Sequence, residues 1–186
     1  MTSEKRQNIL RVLALVGVVG LIAALFVFRD QVKQLENYGY FGIFLISIAV
    51  NATIIIPIPG VALATAMGAI FNPFGVAVAA GLGAALGELS GYLAGFGGQV
   101  AVERVEPYNR LTGWMRAHQT LAYLAIFILA FVPNPLFDLA GMAAGALKLP
   151  VWKFLLACAL GKILKMLMFA YAGYYSVGWL TSWIKP

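Results

Sequence analysis

The chain has 186 residues, of which 62% are apolar and only 11% charged. A soluble domain carries about 25% charged residues, so this surface cannot be coated for water and must largely meet lipid. The net charge of +6 excludes little by itself; nucleic acid is a poor partner, because no basic stretch is interleaved with aromatics on a polar face.

Residues 1–11 are polar and basic, with Lys5, Arg6 and Arg11, and Val12 to Phe28 is one unbroken apolar run. A signal peptide is one reading of that run. A retained first transmembrane helix fits better, since no small-x-small cleavage pattern precedes Arg29. Residues 29–38 are charged and space Val32, Leu35 and Tyr38 on one helical face, which predicts a short interfacial helix. Tyr40 to Phe71 is apolar but interrupted by IPIPG, residues 56–60. Pro57 and Pro59 remove two backbone donors and block helix geometry. Such backbone is tolerated at membrane depth only when buried in protein or lining a wet cavity. Since neither half is long enough to span, a re-entrant hairpin is predicted.

Phe74 to Gly98 reads as a full span containing Glu88. Residues 101–118 carry Glu103, Arg104, Glu106, Arg110 and Arg116 with an apolar face, and read as a second interfacial helix. Thr120 to Leu147 is interrupted by VPNPLFD, containing Pro133, Asn134, Pro135 and Asp138, and predicts a second hairpin. Val151 to Trp179 is the last span, with Lys162 and Lys165 inside it.

The order of elements therefore repeats. Pro57 and Pro59 recur 76 residues later as Pro133 and Pro135, Gly68 and Pro73 recur 77 later as Gly145 and Pro150, and Gly83 and Gly95 recur 78 later as Gly161 and Gly173. Chance recurrence in a Gly-rich chain is the plainer explanation, but it does not account for the repeated order. The predicted fold is an all-α polytopic membrane protein: an N-terminal tail and span (1–28), then a membrane domain (29–180) built as an inverted repeat of about 29–98 and 101–180. Each unit is an amphipathic helix, a re-entrant hairpin and a spanning helix. Such repeats place substrate near the midplane, where broken segments meet. Positive-inside counting puts the N-terminus, 101–118, Lys148 and Lys153 in the cytoplasm; the expected location is a prokaryotic plasma membrane.

Glu88 and Lys162 lie 14 and 11 residues into their spans, at depths of ~21 and ~16 Å in a core ~30 Å thick. Lys165 is one turn further, and Asp138 follows the second proline break. Four unpaired charges at such depth would cost roughly 10 kcal/mol together. The expectation is that Glu88 and Asp138 pair with Lys162 and Lys165 around a shared hydrated cavity and line a transport path for a charged headgroup. A network that merely locks helices together is the alternative. Asn51 and Asn134 are expected to satisfy backbone groups freed at the breaks. The proline breaks at Pro57, Pro59, Pro133, Asn134 and Pro135 also leave helix ends able to meet a phosphate or a cation.

The run PNPLFDLAG (Pro133–Gly141), followed by Gly145, Pro150 and Gly161–Lys162, resembles the DedA/VTT (SNARE-associated Golgi protein) superfamily, and within it the vacuole membrane protein branch. GELSGYLAG (Gly87–Gly95) is similar to the acidic-glycine motif of its first spanning helix. The resemblance covers about residues 35–175. It implies facing re-entrant hairpins and lipid-directed activity: phospholipid scrambling in eukaryotic members, and flipping of undecaprenyl phosphate or phosphatidylethanolamine in bacterial ones. The bacterial pattern places arginines around the second proline motif, where this chain has Ala130, Phe131, Leu136 and Phe137, and the first hairpin has no acid between Asn51 and Thr65. Both departures favour an energy-independent lipid scramblase over a proton-coupled transporter of undecaprenyl phosphate or a small molecule.

Membrane phospholipids are the expected partners, and self-association is left open. Cys158 and His118 are the only residues of their types, too few for a zinc site. No nucleophile–base pair or nucleotide-binding loop stands out, so neither a cofactor nor enzymatic activity is expected.

Overall fold

The computed structural model describes residues 36–52, 60–97, 106–134 and 136–184. The predicted first span, most of the 29–38 helix, Pro57, Pro59 and Pro135 lie outside the described residues. Among the described residues every regular element is helical: α1 (Glu36–Ala52), α2 (Gly60–Gly68), α3 (Pro73–Gly87), α4 (Leu89–Phe96), α5 (Glu106–Ala117), α6 (Gln119–Phe131), α7 (Leu136–Ala146) and α8 (Val151–Ile184). Among the described residues two stretches are long and apolar enough to cross a membrane, Pro73–Phe96 and Val151–Ser176.

The interior and exterior of α8 reverse the pattern of a soluble helix. Its outer stripe is Leu156, Leu160, Leu164 and Met168, all exposed, while Lys162 and Lys165 are buried with Phe154, Cys158 and Met166. That arrangement suits a helix whose surroundings are hydrocarbon. α5 keeps the opposite pattern, with Met115 buried and Glu106, Arg110 and Arg116 exposed, which agrees with the amphipathic helix expected there. Its Glu106–Arg110 ion pair at 2.9 Å is fully solvated and contributes well under 1 kcal/mol.

Contacts fix the direction of each helix. Asn72 and Pro73 share a cavity with Tyr171, Tyr174 and Tyr175, Gly81 faces Ile163, and the Tyr92 ring lies 5.2 Å from that of Phe154. The two long stretches are therefore antiparallel. α1 runs parallel to α3, because Tyr40 meets Gly75, Phe44 meets Gly83 and Asn51 meets Gly87. α6 runs parallel to α8, with Tyr123 beside Lys153 and Phe127 at Gly161.

The shorter arms are exchanged. α2 packs on α8 through Gly68 against Ala170 and Gly173 against Thr65. α7 packs on α4 through Gly145 against Tyr92 and Gly95 against Met142. The second pair of contacts repeats the first at offsets of 77 and 78 residues, which are the offsets at which the glycines recur in sequence. At all four glycines a Cβ would overlap a backbone atom of the facing helix. Hydrocarbon supplies no hydrophobic force between helices, so close backbone approach through small residues must hold them.

Gly145→Val and Gly95→Val are each expected to destabilise the protein by ~1–3 kcal/mol or more through overpacking. Gly113 has open space where a Cβ would go, so Gly113→Ala should stabilise α5 by up to ~1 kcal/mol. Thermal unfolding in detergent, followed by tryptophan fluorescence, checks both signs.

Candidate functional site

Seen along α8, one apolar cluster holds Phe154 and Cys158 and a second holds Met166 and Ala170. Lys162 and Lys165 lie between them. The facing stretch Pro73–Phe96 is continuous, as the sequence reading expects; α3 passes into α4 at Glu88, which keeps helical backbone angles and the helical bonds from its own N–H to the Ala84 carbonyl and from the Tyr92 N–H to its carbonyl. Ser90 donates its hydroxyl hydrogen to the Gly87 carbonyl at 3.0 Å. Glu88 is the residue that meets α8.

There the Lys162 ammonium donates to the Glu88 carboxylate at 2.5 Å and to Asn51 Oδ1 at 3.0 Å. It also stands 4.6 Å from the centre of the Phe137 ring, a cation–π contact. Lys162 and Glu88 are only 4% and 5% exposed. One cation thus joins α1, the α3–α4 junction, α7 and α8. The Asn51 amide nitrogen in turn donates to the Ser47 carbonyl at 2.9 Å, which orients Oδ1 toward the lysine.

The expected second pair does not form. Asp138 is exposed, and Lys165, at 9% exposure, makes no ion pair among the described residues. The reason is helical phase. Phe137 turns inward to cover Lys162, and the next residue on α7 lies ~100° round the helix, on the outer face. Asp138 still lies level with the site, its carbonyl 4.0 Å from where a Gly91 Cβ would sit, and it interacts electrostatically with Glu88 and Lys165.

Asn134 behaves as expected at the second break. Its amide nitrogen donates to the Leu129 and Val132 carbonyls at 2.9 and 2.7 Å, and its oxygen accepts from the Leu136 N–H at 2.9 Å. It closes α6 and opens α7 at once, beside an exposed Pro133. Asn51 does more than expected, since it ligates Lys162 as well as the backbone. Phe137 escapes a sequence reading altogether, because an apolar residue in an apolar helix carries no signal of cation contact. Among the described residues no three His, Cys, Asp or Glu side chains come together to hold a metal ion.

Residues 58–175 match the VTT domain. The chain belongs to the VTT domain family. It is 37% identical to vacuole membrane protein KMS2 of Arabidopsis thaliana over 44% of this chain and 24% of that protein. It is 35% identical to Arabidopsis vacuole membrane protein KMS1 over the same shares. Human vacuole membrane protein 1 is 45% identical over 26% of this chain and 12% of its own length. The similarity thus spans a quarter or less of these relatives. No solved structure matches. Family and relatives agree with the composition that this is an integral membrane protein, and the vacuole membrane proteins are the branch that the PNPLFDLAG run suggests.

Removing either partner of the central pair leaves a buried, uncompensated charge, a loss of ~3–5 kcal/mol. Lys162→Met and Glu88→Met should each show it, and the double variant should recover most of the loss. Equal and additive losses in thermal unfolding would place the stabilisation elsewhere.

Proposed function

We propose that this VTT domain protein lets phospholipids pass between the two leaflets of its membrane without an energy source. The observation that carries the reading is the polar level midway along the two long stretches. A fully partnered Lys162–Glu88 pair forms its floor, a buried Lys165 stands beside it without an ion pair among the described residues, and Asp138 opens outward at the same level. A headgroup crossing hydrocarbon is costly because its charges lose water; midplane charges cost ~2.5–3.5 kcal/mol each even on mild scales. A lysine and an aspartate at half depth offer a phosphate and an amine replacement partners for that water.

In this reading α1/α2 and α6/α7 are re-entrant hairpins entering from opposite sides, and the matched glycine contacts belong to an inverted repeat of about 29–98 and 101–180. The basic end, where α6 and α8 begin, faces the cytoplasm, which puts the N-terminus there too, in front of a first span over 1–28. The protein acts as a passage and not as an enzyme.

The test is reconstitution into liposomes carrying a fluorescent phospholipid, with dithionite reporting leaflet exchange. Wild-type protein should scramble without a pH gradient. Asp138→Asn and Lys165→Gln should each slow exchange by roughly tenfold, equivalent to ~1.4 kcal/mol, while Asp138→Asn keeps wild-type thermal stability because the side chain is exposed. Exchange only under a proton gradient would favour a coupled transporter instead, and unchanged rates in both variants would remove these residues from the path.

A further inference from the structure

α1 crosses α3 and α6 crosses α8 in the same way. A Cβ at Gly83 would meet the Phe44 carbonyl, and one at Gly161 would meet the Phe127 carbonyl. Four residues before each carbonyl is a tyrosine, Tyr40 or Tyr123, and eight before each glycine the two pairs differ, with Gly75 in one and Lys153 in the other.

The consequence is visible in the packing. Tyr40 lies against Gly75, with Cε1 2.6 Å from where a Cβ would sit, and its hydroxyl accepts the Asn72 N–H at 3.2 Å. That end of the α1–α3 crossing is filled. At the α6–α8 crossing Lys153 occupies the corresponding place, its ammonium 5.6 Å from the Tyr123 ring centre and 5.4 Å from that of Trp152. A groove of about 460 Å³ is left there. Leu124, Phe127, Leu156 and Leu160 line it below the lysine. It follows α8 from Trp152 to Leu160, ~12 Å.

Its chemistry has one direction. The floor is apolar, and the mouth carries a cation that forms no ion pair among the described residues. Trp152 and Tyr123 flank the cation, the residues that favour the headgroup level of a bilayer. Arg110, Arg116 and Lys148, all exposed, belong to the same end of the molecule, and among the described residues the exposed acid near them, Glu106, is paired with Arg110.

We propose that the α6–α8 groove is a binding site for an anionic phospholipid, with one acyl chain laid along Leu124, Phe127, Leu156 and Leu160 and the headgroup phosphate on Lys153. The site is separate from the midplane charges and does not depend on the transport reading. A basic end attracts anionic lipid in bulk; the groove adds a place for the chain, so selection acts on lipid that fits both.

The test uses the full chain in phosphatidylcholine nanodiscs with spin-labelled phosphatidylglycerol or phosphatidylcholine, measuring the motionally restricted fraction. Phosphatidylglycerol should be preferred by about fivefold, the worth of one basic residue at an anionic surface. Lys153→Gln should bring the ratio close to one, whereas Arg116→Gln should leave most of it. Ala157→Trp, which fills the groove while keeping the lysine, should also remove the preference, with thermal unfolding checking that the variant folds. A preference unchanged in Lys153→Gln or in Ala157→Trp would overturn the site. Disulfide formation between copies of Leu156→Cys would do the same, by showing a second chain in the groove.

Discussion

The structure depends on how one buried cation is satisfied. Lys162 takes a carboxylate from the α3–α4 junction, an amide oxygen from α1 and a ring face from α7. None of these partners is local in sequence, so both halves of the chain must be in place before the charge is accommodated. Stability alone does not call for this arrangement, since buried ion pairs can often be replaced by apolar side chains without loss. What the pair adds is a fixed polar level inside an otherwise hydrocarbon-compatible fold. That level is where an intramembrane path for charged groups would have to lie.

Glycine makes the level reachable. A helix carrying lysine at mid-depth must come close to its partners, or the charge faces lipid. Gly81 at Ile163 and Gly161 at Phe127 bring backbones together around Lys162. Gly68, Gly173, Gly95 and Gly145 do so at the exchanged arms. The apolar bulk is turned outward instead, as leucines along α8. Small residues at the helix contacts, with leucines turned outward along α8, are the solution expected where the solvent is already apolar.

Much of this was legible in the sequence, for physical reasons. Prolines 133 and 135 forbid a continuous helix, and α6 and α7 do end and begin around them. Charges at half depth demand partners, and Glu88 does find Lys162. What could not be read was rotation about a helix axis. Asp138 and Phe137 are neighbours in sequence, yet one is exposed and the other buried, and apolar patterning gives no phase where both faces of a helix are apolar. The contact of Lys162 with Asn51 and the Phe137 ring was equally hidden, because neither partner is charged.

The matched contacts and the charges obey different rules. Glycines 83 and 95 have counterparts 78 residues on, but at the same offset Glu88 corresponds to Met166, and Lys162 corresponds to Ala84. A repeated skeleton with repeated charges would hold two polar sites. Among the described residues this skeleton holds one, assembled from an acid on one long stretch and a base on the other where the two cross. The same division appears at the edges, where Gly75 lets Tyr40 close one crossing while Lys153 keeps the other open. Backbone approach is conserved between the halves because packing without a hydrophobic force tolerates little change. Side chains that meet charge or lipid are free to differ, and that freedom makes the two matched crossings chemically distinct.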